Sequence, residues 1–215
     1  MKITWKHRDS DFPRPLSFET KVEIFYQQAL GWQFHIADIL ANGGEVFGKG
    51  VRVGPVRHSG FAVLQICLSY FEAVAQYERG GAGRSRDDFK AGVLSVFPKL
   101  SDYGKTLDDL LTLLYNGARC GLYHEFRTLR GVGLGQPRDG EAIAYDSASH
   151  TLAISPERLP PALKSHLEKY RARLLDASNI DMRQNFERRF DASETTRKVG
   201  SLAKRRSQPP KIRKG

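Results

Sequence analysis

Between residues 60 and 78 the chain carries Phe61, Val63, Leu64, Ile66, Leu68, Tyr70, Phe71, Val74 and Tyr77. At a helical spacing of ~100° per residue these side chains cover most of the circumference. A helix that is apolar nearly all round has no face suited to water, so other elements must close over it. This segment therefore demands a helical bundle with itself at the centre. Its polar exceptions, Gln65, Ser69, Glu72 and Gln76, are spaced 4, 3 and 4 apart and fall on one narrow stripe. Composition favours reading the stripe as the solvent edge of the bundle. The wall of a polar site is the other option.

The rest of the chain supplies the neighbours. Residues 1–16, with Pro13 and Pro15, read as an irregular lead-in. Ser17 can cap a helix running to about Ala41, with Glu19 near its positive end. Val22, Phe25, Ala29, Trp32, Ile36 and Ile39 recur along it at helical spacing, and Asn42-Gly43-Gly44 ends it. The glycine-rich stretch 43–60 reads as a loop. A short helix is expected from about Arg86 to Phe97, closed by Pro98. A longer one is expected from about Thr106 to His124 or beyond. Residues 131–141 read as loop, and 142–145 with 151–154 as a small β-hairpin. Ser155-Pro156-Glu157 has the form of a helix start, and Leu159, Leu163, Leu167, Tyr170 and Leu174 give that helix one apolar face. No internal repeat is present. The fold class is mostly α, built by helix-on-helix packing.

The charge is unevenly placed. The chain carries a net +10, but residues 182–215 hold 11 Lys and Arg against 3 Asp and Glu, so the excess lies at the C-terminal end. The expected organisation is a helical domain over 1–181 and a basic, disordered tail over 182–215. In that tail Lys204, Arg205, Arg206, Lys211, Arg213 and Lys214 suit contact with phosphate backbones, and equally suit a solubilising role, docking of an acidic partner or, in a eukaryote, a nuclear signal. Cys67 and Cys120 are too few for a disulfide framework and lie in helix-like runs, which suits a reducing compartment. With no long apolar span and no apolar leader core, the expectation is a cytoplasmic protein without membrane contact. The six histidines show no metal-ligand spacing, so neither a metal nor a cofactor is expected. Gly131-Val-Gly-Leu-Gly135 has the composition of a dinucleotide loop but follows a helix and opens none, so that reading is rejected.

The segment 106–130 holds the candidate chemistry. On a helical wheel Leu107, Leu110, Leu111, Leu114, Ala118 and Leu122 share the core face. Asn116, Arg119, Cys120, Tyr123 and His124 lie on the opposite side. Arg119-Cys-Gly-Leu-Tyr-His124 resembles the R-x4-6-H motif of the HEPN superfamily of small helical domains, which occurs in prokaryotic toxin–antitoxin, abortive-infection and CRISPR-associated proteins. The run Leu-Tyr-Asn-Gly-Ala-Arg-Cys-Gly-Leu-Tyr-His is similar to a form found in uncharacterised bacterial members. A second match, Arg52 to His58, lies in the glycine-rich loop and is discounted.

The resemblance implies a metal-independent endoribonuclease in which the ribose 2′-OH attacks the adjacent phosphate. Arg119 would hold the phosphate and stabilise charge on the pentacoordinate species. His124 would exchange the proton, since an imidazole titrates near ~6.5. Asn116 or Tyr123 would orient either group, and Glu72 is a candidate partner that orients Arg119. Cys120 stands where active members often carry Asn, Asp or His, and a thiol is a poor hydrogen-bonding substitute. The resemblance also implies a homodimer with two motifs facing one cleft, RNA as ligand or substrate, and an antitoxin or defence partner. The alternative is a non-catalytic RNA- or protein-binding module of the same fold. Arg119 and His124 facing a shared cleft would favour the enzyme. Arg119 capped by Glu72 within one subunit would favour the binding module.

Overall fold

The computed structural model describes residues 2–48, 50–100, 106–137 and 140–206, with side chains up to Glu194. The chain is mostly helical, with one two-stranded and one three-stranded sheet. The apolar segment forms α3 (Gly60–Arg79) at the centre, with Val63, Leu64, Cys67, Leu68, Phe71 and Val74 wholly buried. Ahead of it, α1 (Phe18–Ala29) passes through a π-helical turn, Leu30–Phe34, into α2 (His35–Asn42). Ser17 caps α1, its Oγ accepting from Thr20 N at 3.2 Å. The lead-in is pinned across this helix. Trp5 Nε1 donates to Gln27 Oε1 at 2.6 Å, and the indole lies over Gly31, where a Cβ would come within 1.9 Å of Trp5 Cδ1.

After α3 the chain turns through Gly80, in the left-handed region at φ 82°, into α4 (Ser85–Val96). The backbones of α3 and α4 touch: a Cβ on Gly92 would lie 1.8 Å from the Phe71 carbonyl oxygen. Then come α5 (Leu107–Leu113), a second π-helical stretch (Leu114–Cys120) and α6 (Gly121–Glu125). The segment read as one α-helix is thus continuous but locally widened. The C-terminal half contributes α7 (Leu159–Leu175) and α8 (Ile180–Arg206).

Several boundaries differ from expectation. The loop 43–60 contains a minimal antiparallel pair, β1 (Gly44–Glu45) with β2 (Arg52–Val53). Within 131–141, β3 (Val132–Leu134) pairs in parallel with β5 (Thr151–Ile154), which also forms the expected hairpin with β4 (Ile143–Asp146). Alternation in this sheet buries Val132, Ile143, Tyr145, Leu152 and Ile154. Ser155 Oγ does accept from Arg158 N, but α7 begins at Leu159, where Pro160 and Pro161 fit a first turn that needs no intrahelical N–H donors.

The largest correction concerns the C-terminal boundary. Residues 182–194 are not a disordered tail: α8 docks on the body through Phe186, wholly buried, and Phe190, nearly so. Phe186 packs edge-on to Phe25 and against Tyr77. Lys21 Nζ reaches Glu187 Oε1 at 2.6 Å and Asp191 Oδ2 at 2.9 Å, and Asn185 Nδ2 donates to the Glu78 carbonyl. Lys204, Arg205 and Arg206 belong to the helical backbone at the end of α8. Lys211, Arg213 and Lys214 lie outside the described residues.

A buried polar chain ties α3, α4 and α7 together. Ser95 Oγ donates to Glu78 Oε1 at 2.7 Å, so it accepts from His166 Nε2 at 3.1 Å. Nδ1 of His166 is then the unprotonated nitrogen and accepts from the Tyr70 hydroxyl at 2.9 Å. Burial, with Arg173 and Lys169 nearby, pushes His166 down to about 4. Protonating Nδ1 would leave the Tyr70 hydroxyl without its acceptor.

Two outcomes follow from this packing. Gly92→Ala should lose about 2 kcal/mol or more of unfolding free energy, although alanine is the better helix former, because the obstacle is backbone. Urea unfolding measures it. Between pH ~6.5 and about 4 the unfolded chain protonates His166 and the folded one does not, so this group's contribution is lost as pH falls through that window. Glu78, its carboxyl pushed up by burial, acts with the opposite sign. The urea midpoint of His166→Gln should therefore fall less than that of the wild type between pH 7.5 and pH 5. Equal falls would refute the assignment.

Candidate functional site

The motif helix starts at Thr106, whose Oγ1 accepts from Asp109 N at 3.2 Å. Its π-helical stretch coincides with the return of the chain against it. Gly117 faces Val132 so closely that a Cβ would sit 2.5 Å from Val132 Cγ2, and Gly121 faces the Arg127 carbonyl at 2.6 Å. A π turn takes a carbonyl out of the ordinary i to i+4 ladder. Leu129 N supplies a donor to Gly117 O at 2.8 Å. The two glycines therefore let the segment 127–132 pack on the helix and lead directly into β3.

Arg119 lies within this widened stretch. Its Nε donates to Glu72 Oε1 at 2.7 Å, with both side chains about four-fifths buried. Glu72 Oε2 accepts from Ser85 Oγ at 2.9 Å, and Ser85 Oγ accepts from the Tyr115 hydroxyl at 3.3 Å. The guanidinium lies over two aromatic rings, 5.6 Å from the centroid of Tyr115 and 4.9 Å from that of Tyr123. Burial works against the guanidinium charge, and the Glu72 carboxylate more than offsets it, holding Arg119 above its ordinary value. With Nε taken by Glu72, the two terminal Nη groups make no hydrogen bond among the described residues. The result is a cation fixed from behind with its outer edge available to an oxyanion.

The polar stripe of α3 is thus a contact surface rather than a solvent edge. Gln65 Nε2 donates to the Leu122 carbonyl at 3.4 Å, and the Tyr123 hydroxyl to the Gln65 carbonyl at 3.4 Å. Gln76 bonds Asp88 of α4 and Arg189 of α8. Ser69 turns back to the Ile66 carbonyl.

Of the residues singled out from the sequence, Arg119, Glu72 and Tyr123 come together. Asn116 and His124 are exposed on the same helix and make no side-chain hydrogen bond among the described residues. Cys120 is a half-buried free thiol. Tyr115 and Ser85 join the cluster without having been singled out. Tyr115 stands four residues before Arg119 as Tyr123 stands four after, a spacing visible in the sequence. Ser85 gives no local signal. Among the described residues, no group of three or more His, Cys, Asp or Glu could hold a metal ion, and no helix is long and apolar enough to cross a membrane.

A second feature lies at the start of α3. A cleft of about 460 Å³ is lined by Arg57, His58, Gln136 and Glu157 among others, and includes neither Arg119 nor His124. Of the discounted match, His58 lines this cleft and Arg52 does not.

The chain matches no family model, no curated protein and no solved structure. The chemistry therefore rests on the residues themselves. A double-mutant cycle with Glu72→Gln and Arg119→Gln should give a coupling energy of about 1–2 kcal/mol in urea unfolding, between the values for exposed and buried ion pairs. A coupling near zero would mean that the pair does not position the guanidinium.

Proposed function

We propose that this chain is a HEPN-like helical module directed at RNA, with Arg119 as its phosphate-binding group. In the catalytic form of this reading the module is a metal-independent endoribonuclease. The 2′-OH attacks the adjacent phosphorus, the P–O5′ bond breaks, and the products end in a 2′,3′-cyclic phosphate and a 5′-hydroxyl. His124 moves the proton, and Arg119 stabilises charge on the phosphoryl oxygens. DNA lacks the nucleophile and is not cut. The observation that carries the reading is the clamped guanidinium: Nε on Glu72, two tyrosine rings against it, and the Nη edge left for an anion.

The second reading, an RNA-binding module without cleavage, has a specific observation in its favour. Arg119 is capped by Glu72 inside one subunit, while His124 lies exposed with no group bonded to its ring among the described residues. A homodimer with two motifs in one cleft would supply what a single chain does not. A toxin–antitoxin or defence setting belongs to the same proposal, as does a cytoplasmic location.

One experiment separates the readings. Purified full chain is incubated with mixed tRNA and single-stranded RNA in EDTA, beside Arg119→Ala and His124→Ala. The nuclease reading expects cyclic-phosphate ends from the wild type and a loss of rate of about 100-fold or more in each variant. Binding without cleavage, weakened by Arg119→Ala and unchanged by His124→Ala, would select the binding module. RNA neither bound nor cut would remove both.

A further inference from the structure

The turn that ends α6 carries a side chain that neither the fold nor the Arg119 cluster uses. Phe126 is 81% exposed, the most exposed large apolar side chain among the described residues. Its backbone lies in the left-handed region at φ 56°. This position closes the helix, with Phe126 N donating to the Gly121 carbonyl. Glycine is the residue that such a position favours, and a bulky side chain there is uncommon. Neighbouring apolar side chains do fold inward: Leu122 is buried and Leu129 is half-buried against Gly121. Phe126 thus combines an unfavourable backbone with an unburied ring.

Its sequence neighbours include two arginines. Arg127 and Arg130 are exposed just beyond it, and His124 is exposed just before it. Glu125 is the one acidic residue of the turn. The bonds from Arg119 to Glu72 and from Tyr123 to Gln65 show that the motif helix runs antiparallel to α3. Phe126 follows Arg119 by seven residues and Tyr123 by three, at the end of the same helix, and Tyr123 is itself 42% exposed. A single free aromatic face beside cations suits a flat, π-faced partner attached to phosphates. It does not resemble the broad apolar patch that a protein interface needs.

We propose that Phe126 is a stacking platform for an unpaired base of the RNA whose phosphate Arg119 holds, which makes single-stranded RNA the ligand selected over duplex. This rests on the RNA-directed reading above. In a duplex the base faces are covered by their neighbours, and only a single strand can offer one to the ring. Tyr123 cannot play the same part as fully, because Arg119 occupies one face and the Gln65 carbonyl holds its hydroxyl.

The test uses full-length protein and a 2′-O-methyl RNA oligonucleotide, which cannot be cleaved by its own 2′-OH, with 2-aminopurine as the stacking reporter. Phe126→Ala and Phe126→Leu should each weaken single-strand binding about 5- to 100-fold and abolish the fluorescence change. Phe126→Trp should stay within about twofold of the wild type. The wild type should prefer the single strand to a duplex of the same sequence. Phe126→Gly should keep or raise the melting temperature while binding as weakly as Phe126→Ala, because glycine suits the backbone. That result would separate a recognition role from a structural one.

Single-strand binding that loses affinity in Arg119→Ala but not in Phe126→Ala would overturn the platform and leave the RNA reading standing. No binding by the wild type would remove the RNA reading itself. A drop in oligomeric mass on Phe126→Ala, seen by light scattering, would make the ring a contact between protein chains and overturn the proposal.

Discussion

The contact of α4 backbone with α3 backbone at Gly92 and Phe71 sets the geometry of the rest. Glycine alone leaves room for the Phe71 carbonyl, and this closeness brings short α4 side chains within reach of carboxylates on α3. Ser85 meets Glu72, and Ser95 meets Glu78. The first of these serines holds one carboxylate oxygen so that the other faces Arg119. The second completes the chain through His166 to Tyr70. A wider helix pair would deprive Glu72 Oε2 and Glu78 Oε1 of these hydroxyl donors in a half-buried setting, which is costly.

Much of the helical frame is legible in the sequence because the relevant forces are local. Ser17 is the N-cap in both readings, the motif helix starts at Thr106 where the sequence places it, Pro98 follows α4, and the β4–β5 hairpin lies where the sequence places it. Elements held by distant partners are not legible. Three residues of β3 become a strand only because β5 lies alongside to receive them. Proximity to glycines made the same residues look like a loop. In α8 the spacing of Met182, Phe186 and Phe190 is helical, but three apolar residues among many charges fall below what a periodicity argument can weigh. Tertiary burial of the two phenylalanines decides the matter. The π turns at 30–34 and 114–120 have no local code beyond Gly31 and Gly117, whose use is to admit Trp5 and Val132.

The candidate site divides in the same way. Arg119 stands out through its motif and Glu72 through the polar stripe, yet the wheel treats each helix alone and cannot join them. It placed the stripe of α3 at a solvent edge because it had no account of what packs there. Ser85 enters only through the α3–α4 approach. His124 shows the opposite case: a motif match makes it conspicuous, whereas the fold gives its ring no bonded neighbour among the described residues. Conspicuous residues and supported residues are therefore different sets here, and Arg119 belongs to both.

The docking of α8 bears on how the basic end of the chain works. Past Glu194 the sequence holds eight Lys and Arg and no Asp or Glu, joined to the body at a helix anchored by Phe186 and Phe190. The backbone stays helical to Arg206, so the Lys and Arg positions from 197 to 206 are carried on one helix continuous with the docked segment. Their Cα atoms are then spaced along a rod at about 1.5 Å per residue rather than spread through the volume that a flexible chain would sweep.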